Sequence, residues 1–496
     1  MLYIIFIFSL IYAALAWRRL DWAIMAMIIG LPLYQIRFSF TNIPFTVLEL
    51  MILIAFTVWA IKNHQKIFKN FKLSARGGPA LGWKIKIRYP FDTEIFLLLI
   101  ISWIAIAIAG FSDSALGIWK AYFFEPILVY ILIVNVFNKH SVNKLIWSLT
   151  ILSFGVSLSA ILQRIGFLAS PENFWPRVTG PFTYPNALGL LLSPLVLIMT
   201  AWFMQTISIN KNLKFKILNF KFLFITTVIL MSVSAIALAQ NEGAAFGVIV
   251  AMIIVGFLLR VQKKPNLKWL PISLIVFVLG GALFSSIFFL QIVPEYKYFN
   301  FDKKIFNYIT DKAMLKDISG EIRKQQWRET WQVLTASPKN FIFGLGLSNY
   351  QKTIKPIHQE GIFFNFERDK KFRTKIVWFN EEYKAKHWQP VEIYMYPHNF
   401  FLNFWVELGL LGALLFVWII IKPLAVSFKL LDKSRENRHL ILGVIGAVIV
   451  IVVHGIVDVP YFKNDISVLF WVIVGILGIF QLENKSKNVL RFNNEK

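Results

Sequence analysis

No cysteine occurs anywhere in the 496 residues, so a disulfide framework and a thiolate-bound metal are both excluded. Charge is scarce too: Asp, Glu, Lys and Arg make up 16% of the chain, against about 25% in an ordinary soluble domain. Acidic residues are the scarcer sign, 27 against 52 basic, which leaves a formal net charge of +25. Walker-type loops and GxGxxG fingerprints are missing, which removes support for nucleotide chemistry, and so is an HExxH metal motif. The apolar runs lack period-two alternation, which argues against a transmembrane barrel. Met1–Ala16 is apolar but has no basic leader and no small-residue cleavage site, so it reads as a retained first helix.

What the chain has in abundance is apolar residues, 57% of the total, with a mean hydropathy of +0.61. Runs of about 17–24 such residues recur, and each is long enough to cross a hydrocarbon core of about 30 Å. They lie near 2–16, 20–33, 46–61, 94–110, 119–137, 144–168, 186–204, 221–239, 242–259, 269–292, 397–421, 438–457 and 465–481. Because the second is short and the first weakly flanked, the count is twelve or thirteen. Backbone amides in lipid must be paired internally, so these are helices. The fold class expected is an all-α polytopic membrane protein.

The positive charge then serves topology rather than nucleic-acid binding. Arg18 and Arg19, the 62–90 connection, Lys139 and Lys144, Lys211–Lys221, Arg260–Lys268, Lys422–Arg438 and the tail with Lys485, Lys487 and Arg491 fall on one side when the spans alternate. That side is expected to be cytoplasmic, C-terminus included. The connections 34–45, 111–118, 169–185 and 458–464 are poor in basic residues and face outward. Residues 293–396 form a polar insert of about one hundred residues, far beyond ordinary loop length. Alternation places it outside. The division expected is N-terminal helices over 1–292, a large extracytoplasmic loop over 293–396, C-terminal helices over 397–481 and a basic tail over 482–496.

Four places on the outward side carry polar residues that a span does not need. Arg177 opens the bent stretch Gly180-Pro181…Pro185-Asn186, in which Asn186 is placed to cap the next helix. An Arg held there suits bidentate phosphate binding, or it is a solvated Arg in an interfacial turn. In the loop, Arg323, Trp327, Arg328 and Trp331 precede Pro338 and Gly344-x-Gly346. Residues 322–334 read as an amphipathic helix with Arg323 and Trp327 on one face, either catalytic or resting on headgroups. Pro397-His398-Asn399 opens the helix that carries Glu407 and Gly409-x-x-Gly412. His398 has a pKa near 6.5 when unperturbed, suited to proton transfer; Glu407, nine positions on, is about 13.5 Å along the axis and no direct partner. The two glycines allow close approach of another helix. Finally, His454 and Asp458 are four apart on one face, a functional pair or a tie between helices. Arg164, Glu125 and Glu242 complete the set. A metal held by His398, His454 and Asp458 has no local ligand motif behind it.

Together these residues resemble the bacterial O-antigen ligase and polymerase superfamily, over most of the chain from the fourth helix to the last. The most specific part is His398-Asn399, nine residues, then Gly409-x-x-Gly412. The order Arg323-x3-Trp327, Pro338, Gly344-x-Gly346, His398 supports it, as do Arg177 with Pro185-Asn186 and His454-x3-Asp458 with Phe470-Trp471. The resemblance implies a membrane-embedded glycosyltransferase of the bacterial inner membrane that needs no metal or other cofactor. It would move a glycan from an undecaprenyl-diphosphate-linked donor, with inversion, to a glycan, lipid or protein acceptor. His398 would be the general base; Arg323 would hold the diphosphate and Arg177 would help line the site. One departure stands out. Where members carry Ser-Arg-Gly-Ala, this chain has Asn241-Glu242-Gly243-Ala244, and a carboxylate repels a diphosphate; Arg164, Arg177 or Arg328 would have to supply the missing charge. Alternatives from other classes are a transporter or flippase of lipid-linked sugars and an inactive assembly scaffold. The first is disfavoured by the lack of two related halves.

Overall fold

The computed structural model describes residues 2–40, 43–75, 90–209, 220–261, 314–367, 369–378, 381–433 and 436–494. Nearly all of it is helix. Helices α1 (Leu2–Arg18), α2 (Leu20–Ile29), α3 (Val47–Ala75), α4 (Asp92–Ile108), α5 (Asp113–Trp119) and α6 (Glu125–Val136) lead to α7 (Val142–Arg164), α8 (Pro185–Ile209), α9 (Phe220–Leu238) and α10 (Glu242–Val261). The loop contributes α11 (Ile318–Thr335), α12 (Pro338–Phe343), α13 (Tyr350–Ile354), α14 (Phe372–Val377) and α15 (Glu381–His387). Helices α16 (Phe400–Lys433), α17 (Arg438–Gly455) and α18 (Asn464–Asn494) follow. Two short antiparallel pairs, β1 (Arg37–Phe40) with β2 (Ile43–Thr46) and β3 (Gly361–Phe363) with β4 (Trp388–Pro390), are the sheet present among the described residues.

Among the described residues nine helical stretches are long and apolar enough to cross a membrane. The chain is an all-α polytopic membrane protein. Of the other expected spans, those near 2–16 and 20–33 are helices of 17 and 10 residues, and that near 94–110 is the 17-residue α4. The span at 269–292, the loop's opening at 293–313 and the basic stretches 76–89, 211–219 and 262–268 lie outside the described residues. Helix α10 turns Phe246, Ile249, Ile253 and Phe257 outward, a stripe at helical spacing that needs an apolar surrounding. Helix α8 and the Asn464–Asn484 part of α18, by contrast, are enclosed on nearly all sides.

The connections sort into two ends, as alternation of the spans requires. At one end Gln35 Nε2 donates to Pro181 O, Val178 N to Leu238 O, Asn399 Nδ2 to Ile456 O and Tyr461 Oη to Tyr122 O. At the other, Lys144 pairs with Asp21, Lys139 with Glu436 and Glu483, and Lys422 with Glu94. The described basic residues singled out for topology at 139, 144 and 422 thus gather at the end away from the loop.

Two distortions shape the loop-bearing end. The first is a π-helical turn, Lys120–Phe124, between α5 and α6. Pro126 has no N–H for the Tyr122 carbonyl four residues back, and its ring crowds that carbonyl. The carbonyl accepts instead from Tyr461 Oη at 2.8 Å. The membrane segment also starts earlier than the apolar run at 119, because Ser112 caps α5 by accepting from Ala115 N.

The second distortion is in α16. Gly409, at φ 76 and ψ −179, breaks the helix, and Gly344 adopts a similar φ 71 and ψ −162 directly against it. That region of backbone space is essentially restricted to glycine. Any Cβ on Gly409 would lie 2.4 Å from Ile342 O, and any on Gly344 2.5 Å from Val406 O. The close approach expected of Gly409 is therefore with the short loop helix α12 and not with another span. The kink leaves Val406 O without its helical donor, and Leu345 N supplies one at 2.7 Å.

Gly409→Ala is expected to destabilise by about 1–3 kcal/mol from backbone strain alone, with the steric clash adding to it. Gly256→Ala, where a new Cβ meets nothing within 4 Å, should be neutral or slightly stabilising. Thermal unfolding of the purified protein in one detergent compares the two directly.

Candidate active site

Helix α17 ends at Gly455, and the carbonyls just beyond it have no helical donor. Two other elements supply donors. Asn399 Nδ2 donates to Ile456 O at 3.0 Å, and Arg323 Nε donates to Val457 O at 2.9 Å. A cation is also favoured at a helix C-terminus. These two bonds bring the start of α16 and the loop helix α11 to one point.

Helix α11 forms because Asp317 caps it, accepting from Gly320 N at 3.2 Å. It runs from residue 318 to 335, longer at both ends than the expected 322–334. Arg323, Gln326 and Trp327 share one face. Trp327 Nε1 donates to Pro397 O at 2.9 Å. Arg323 Nη1 donates to Ser319 O and Ser319 Oγ, so its guanidinium is held by two of its three nitrogens. Nη2 has no protein partner among the described residues.

His398 sits between these elements. Its backbone is left-handed, φ 44, which is uncommon for a residue with a side chain. Nδ1 lies 3.1 Å from Gln326 Oε1, and Tyr394 packs edge-on against the ring at 4.7 Å and 90°. Burial pushes the imidazole pKa below its usual value; Arg323 adds to this, and Asp458 opposes it. The ring is accordingly neutral at neutral pH. Asn399 caps α16 by accepting from Leu402 N at 3.0 Å.

Arg177 reaches the same end from the loop before α8. Its Nε donates to Ala239 O at 2.9 Å and its Nη2 to Asn186 Oδ1 at 3.0 Å. Asn186 Nδ2 in turn donates to Asp458 Oδ2 at 3.3 Å. Asn186 was expected to cap α8; Pro185 already occupies the first helical position, where proline fits, and the Asn side chain instead links Arg177 to Asp458. Burial lowers the Arg177 pKa, and the nearby Glu242 works against that. His454 Nε2 is 3.9 Å from Asp458 Oδ2 and packs on Gly243, where a Cβ would come within 2.7 Å of the ring.

The structure thus gathers His398, Asn399, Arg323, Arg177, His454 and Asp458 around residues 454–458. It does not bring in the other two arginines. Arg328 is exposed, with Nε on its own Lys324 O at 3.3 Å. Arg164 donates to Pro176 O at 3.0 Å and lies over the Trp175 ring at 5.3 Å. Glu407 is buried two turns down α16, and Ser348 N donates to it at 2.8 Å, so it anchors the Gly344–Ser348 turn. Glu242 is near enough to act electrostatically on Arg177. His398, His454 and Asp458 form no metal-binding cluster, nor does any other such trio among the described residues.

Sequence reasoning overlooked Gln326 and Lys463. Lys463 is buried with its Nζ 3.1 Å from Asp465 Oδ2 and 4.0 Å from the Phe182 ring centroid, and burial lowers its pKa. Its signal was a single lysine in a connection otherwise poor in basic residues, flanked by Tyr461 and Phe462.

Residues 226–417 match a family model. The family is that of the O-antigen ligases. This match bears out the resemblance to the O-antigen ligase and polymerase superfamily. The O-antigen ligase region runs from α9 into α16, so it holds Arg323, His398-Asn399 and Gly409-x-x-Gly412; Arg177, His454 and Asp458 come from outside it. No curated protein matches the chain. The match supports glycan transfer at a membrane as the general activity.

Helix α11 is locked from behind by a second network. Glu329 Oε1 accepts from Gln325 Nε2 and Gln359 N, both at 2.8 Å. His358 Nδ1 is 3.1 Å from Glu329 Oε2, and its Nε2 is 2.9 Å from Val391 O. Both ring nitrogens face oxygens suited to accept, an arrangement that favours the imidazolium. Burial opposes that charge, but the bonds to Val391 O and Glu329 outweigh it and raise the pKa. A raised folded-state pKa means stability that is complete below the unfolded value and lost as pH rises through the folded one. The melting-temperature gap between wild type and His358→Gln should therefore be wider near about pH 5.5 than near about pH 8.5, on either side of a free histidine's value. Equal gaps would rule out a charged His358.

Proposed function

We propose that the chain transfers a glycan from an undecaprenyl-diphosphate-linked donor to an acceptor hydroxyl at the extracytoplasmic face, with inversion and without a metal. The observation that carries this reading is the meeting of His398 and Arg323 at the end of α17. The neutral imidazole is fit to take a proton, and a guanidinium with Nη2 available stands beside it. Proton removal by a positioned base and stabilisation of a departing anion are the two demands of this chemistry.

In that scheme His398 Nε2 takes the acceptor proton as the oxygen attacks the anomeric carbon. The bond to the diphosphate breaks, and its electron pair leaves with the phosphate, which Arg323 holds. Arg177 lines the other side through Asn186 and Asp458. A site at the membrane surface suits a donor whose polyprenyl tail stays in lipid while the reacting bond sits at headgroup depth. Glu242 acts electrostatically on Arg177, which supports Arg177 as a source of the missing charge. The large loop then faces outward and the basic end faces the cytoplasm.

Purified protein should transfer a labelled lipid-linked oligosaccharide equally well with and without chelator. His398→Ala is expected to lose about 100-fold or more, the usual contribution of a general base. Arg323→Lys should lose about 10- to 100-fold, the worth of about 1.5–3 kcal/mol for a charged hydrogen bond. Full activity in His398→Ala would remove the base. A several-fold gain in Glu242→Arg would show that Arg177 does not make up for the missing charge. Counterflow of the donor in vesicles without acceptor, and no transfer, would favour a transporter instead.

A further inference from the structure

Resting on the reading of His398 as the base, we propose that Gln326 is a positioning residue that holds His398 in the Nδ1–H form and so reserves Nε2 for the acceptor hydroxyl. The geometry is specific. An amide oxygen only accepts, so a ring nitrogen 3.1 Å from Gln326 Oε1 must donate. With the proton on Nδ1, the lone pair is on Nε2, which has no hydrogen-bond partner among the described residues. The opposite tautomer would leave Nδ1 facing a lone pair and put a proton on the atom that has to receive one.

Gln326 is well placed for this. It is 3% exposed, so water does not compete at the contact. It lies three residues after Arg323 and one before Trp327, whose indole is bonded to Pro397 O next to the histidine. One rigid helix therefore sets the cation, the orienting amide and the residue before the base in a fixed register. The edge-on Tyr394 ring limits imidazole rotation.

A neutral orienter also matters. The charged groups acting on His398 are Arg323 from α11, which disfavours the imidazolium, and Asp458 beyond α17, which favours it. A carboxylate at position 326 would add to Asp458 and keep the ring protonated near neutrality. An amide orients the ring and adds no charge. When the acceptor proton reaches Nε2, Nδ1–H keeps its bond to Oε1, and the proton passes to water as the products leave.

The test is the pH dependence of kcat/KM for transfer with a labelled undecaprenyl-diphosphate oligosaccharide, offered extracted membrane glycans as acceptor. Its acid limb reports deprotonation of the base in the free enzyme. Gln326→Glu keeps the shape of the side chain and should move that limb up by about one pH unit or more, with the rate recovering at alkaline pH. Gln326→Leu should lower kcat about tenfold, the scale of a weakened general base, and leave KM unchanged. An unmoved limb in Gln326→Glu overturns the proposal, and if Gln326→Leu does not fold, that limb decides alone. When His398→Ala is inactive but folded and the limb has not moved, only the role of Gln326 fails. Full activity of His398→Ala removes the base and this inference with it.

Discussion

The end of a helix leaves carbonyls that need donors, and in this protein the rest of the site is assembled on that need. Helix α17 stops at Gly455, and the carbonyls of Ile456 and Val457 point to where the loop returns to the bundle. Asn399 answers one and Arg323 the other. The bond to Ile456 O is exposed and that to Val457 O half-buried, so each contributes about 0.5–1.5 kcal/mol, more from the charged Arg323, and together they favour the docking of α11 and the start of α16. The side chains of the proposed reaction come along with it. Asp458, in the same turn, extends the join through Asn186 to Arg177 in the loop before α8.

A second backbone constraint fixes the loop from below. The kink at Gly409 frees Val406 O for Leu345 N, and Gly344 is pressed against the same kink. Glu407 then takes Ser348 N, and Gly346 returns the chain tightly over the end of α4, where a Cβ would lie 2.7 Å from Ala109 N. Glycines of the loop and of α16 thus form one joint although some sixty positions separate them. Of the Gly409-x-x-Gly412 spacing, Gly409 belongs to that joint, whereas Gly412 lies against Leu408 of its own helix. His398 lies near one end of α16's upper segment, and the joint sets that segment's position.

Much of this was legible in the sequence, and what was not has a common cause. Apolar runs marked the helices because lipid imposes length and composition on a span locally. Their edges moved where capping or a proline intervened, as at Ser112 and Pro126. His398 and Arg323 were visible because they stood as rare polar residues at helix mouths in a recognisable order. Roles that depend on a partner far along the chain were hidden. Nothing near Asn186 announces that its amide bridges Arg177 and Asp458, 272 positions away from the latter. Arg323 was set apart from Arg328 by its spacing to Trp327, and its bond to Val457 O was not visible in that spacing.

The same geometry gives the two arginines unequal strength toward an anion. Arg323 is held by a carbonyl and by Ser319, all neutral partners, so its charge is undiminished by an ion pair. Arg177 stands near Glu242 and is tied to Asn186, which is itself bonded to Asp458. On the glycan-transfer reading, a phosphate approaching Arg177 meets the field of two carboxylates, while one approaching Arg323 meets a guanidinium with Nη2 available. Of the two guanidiniums Arg323 is thus the stronger partner for a departing anion, and an inverting displacement needs that anion on the face of the anomeric carbon opposite the hydroxyl that His398 would deprotonate.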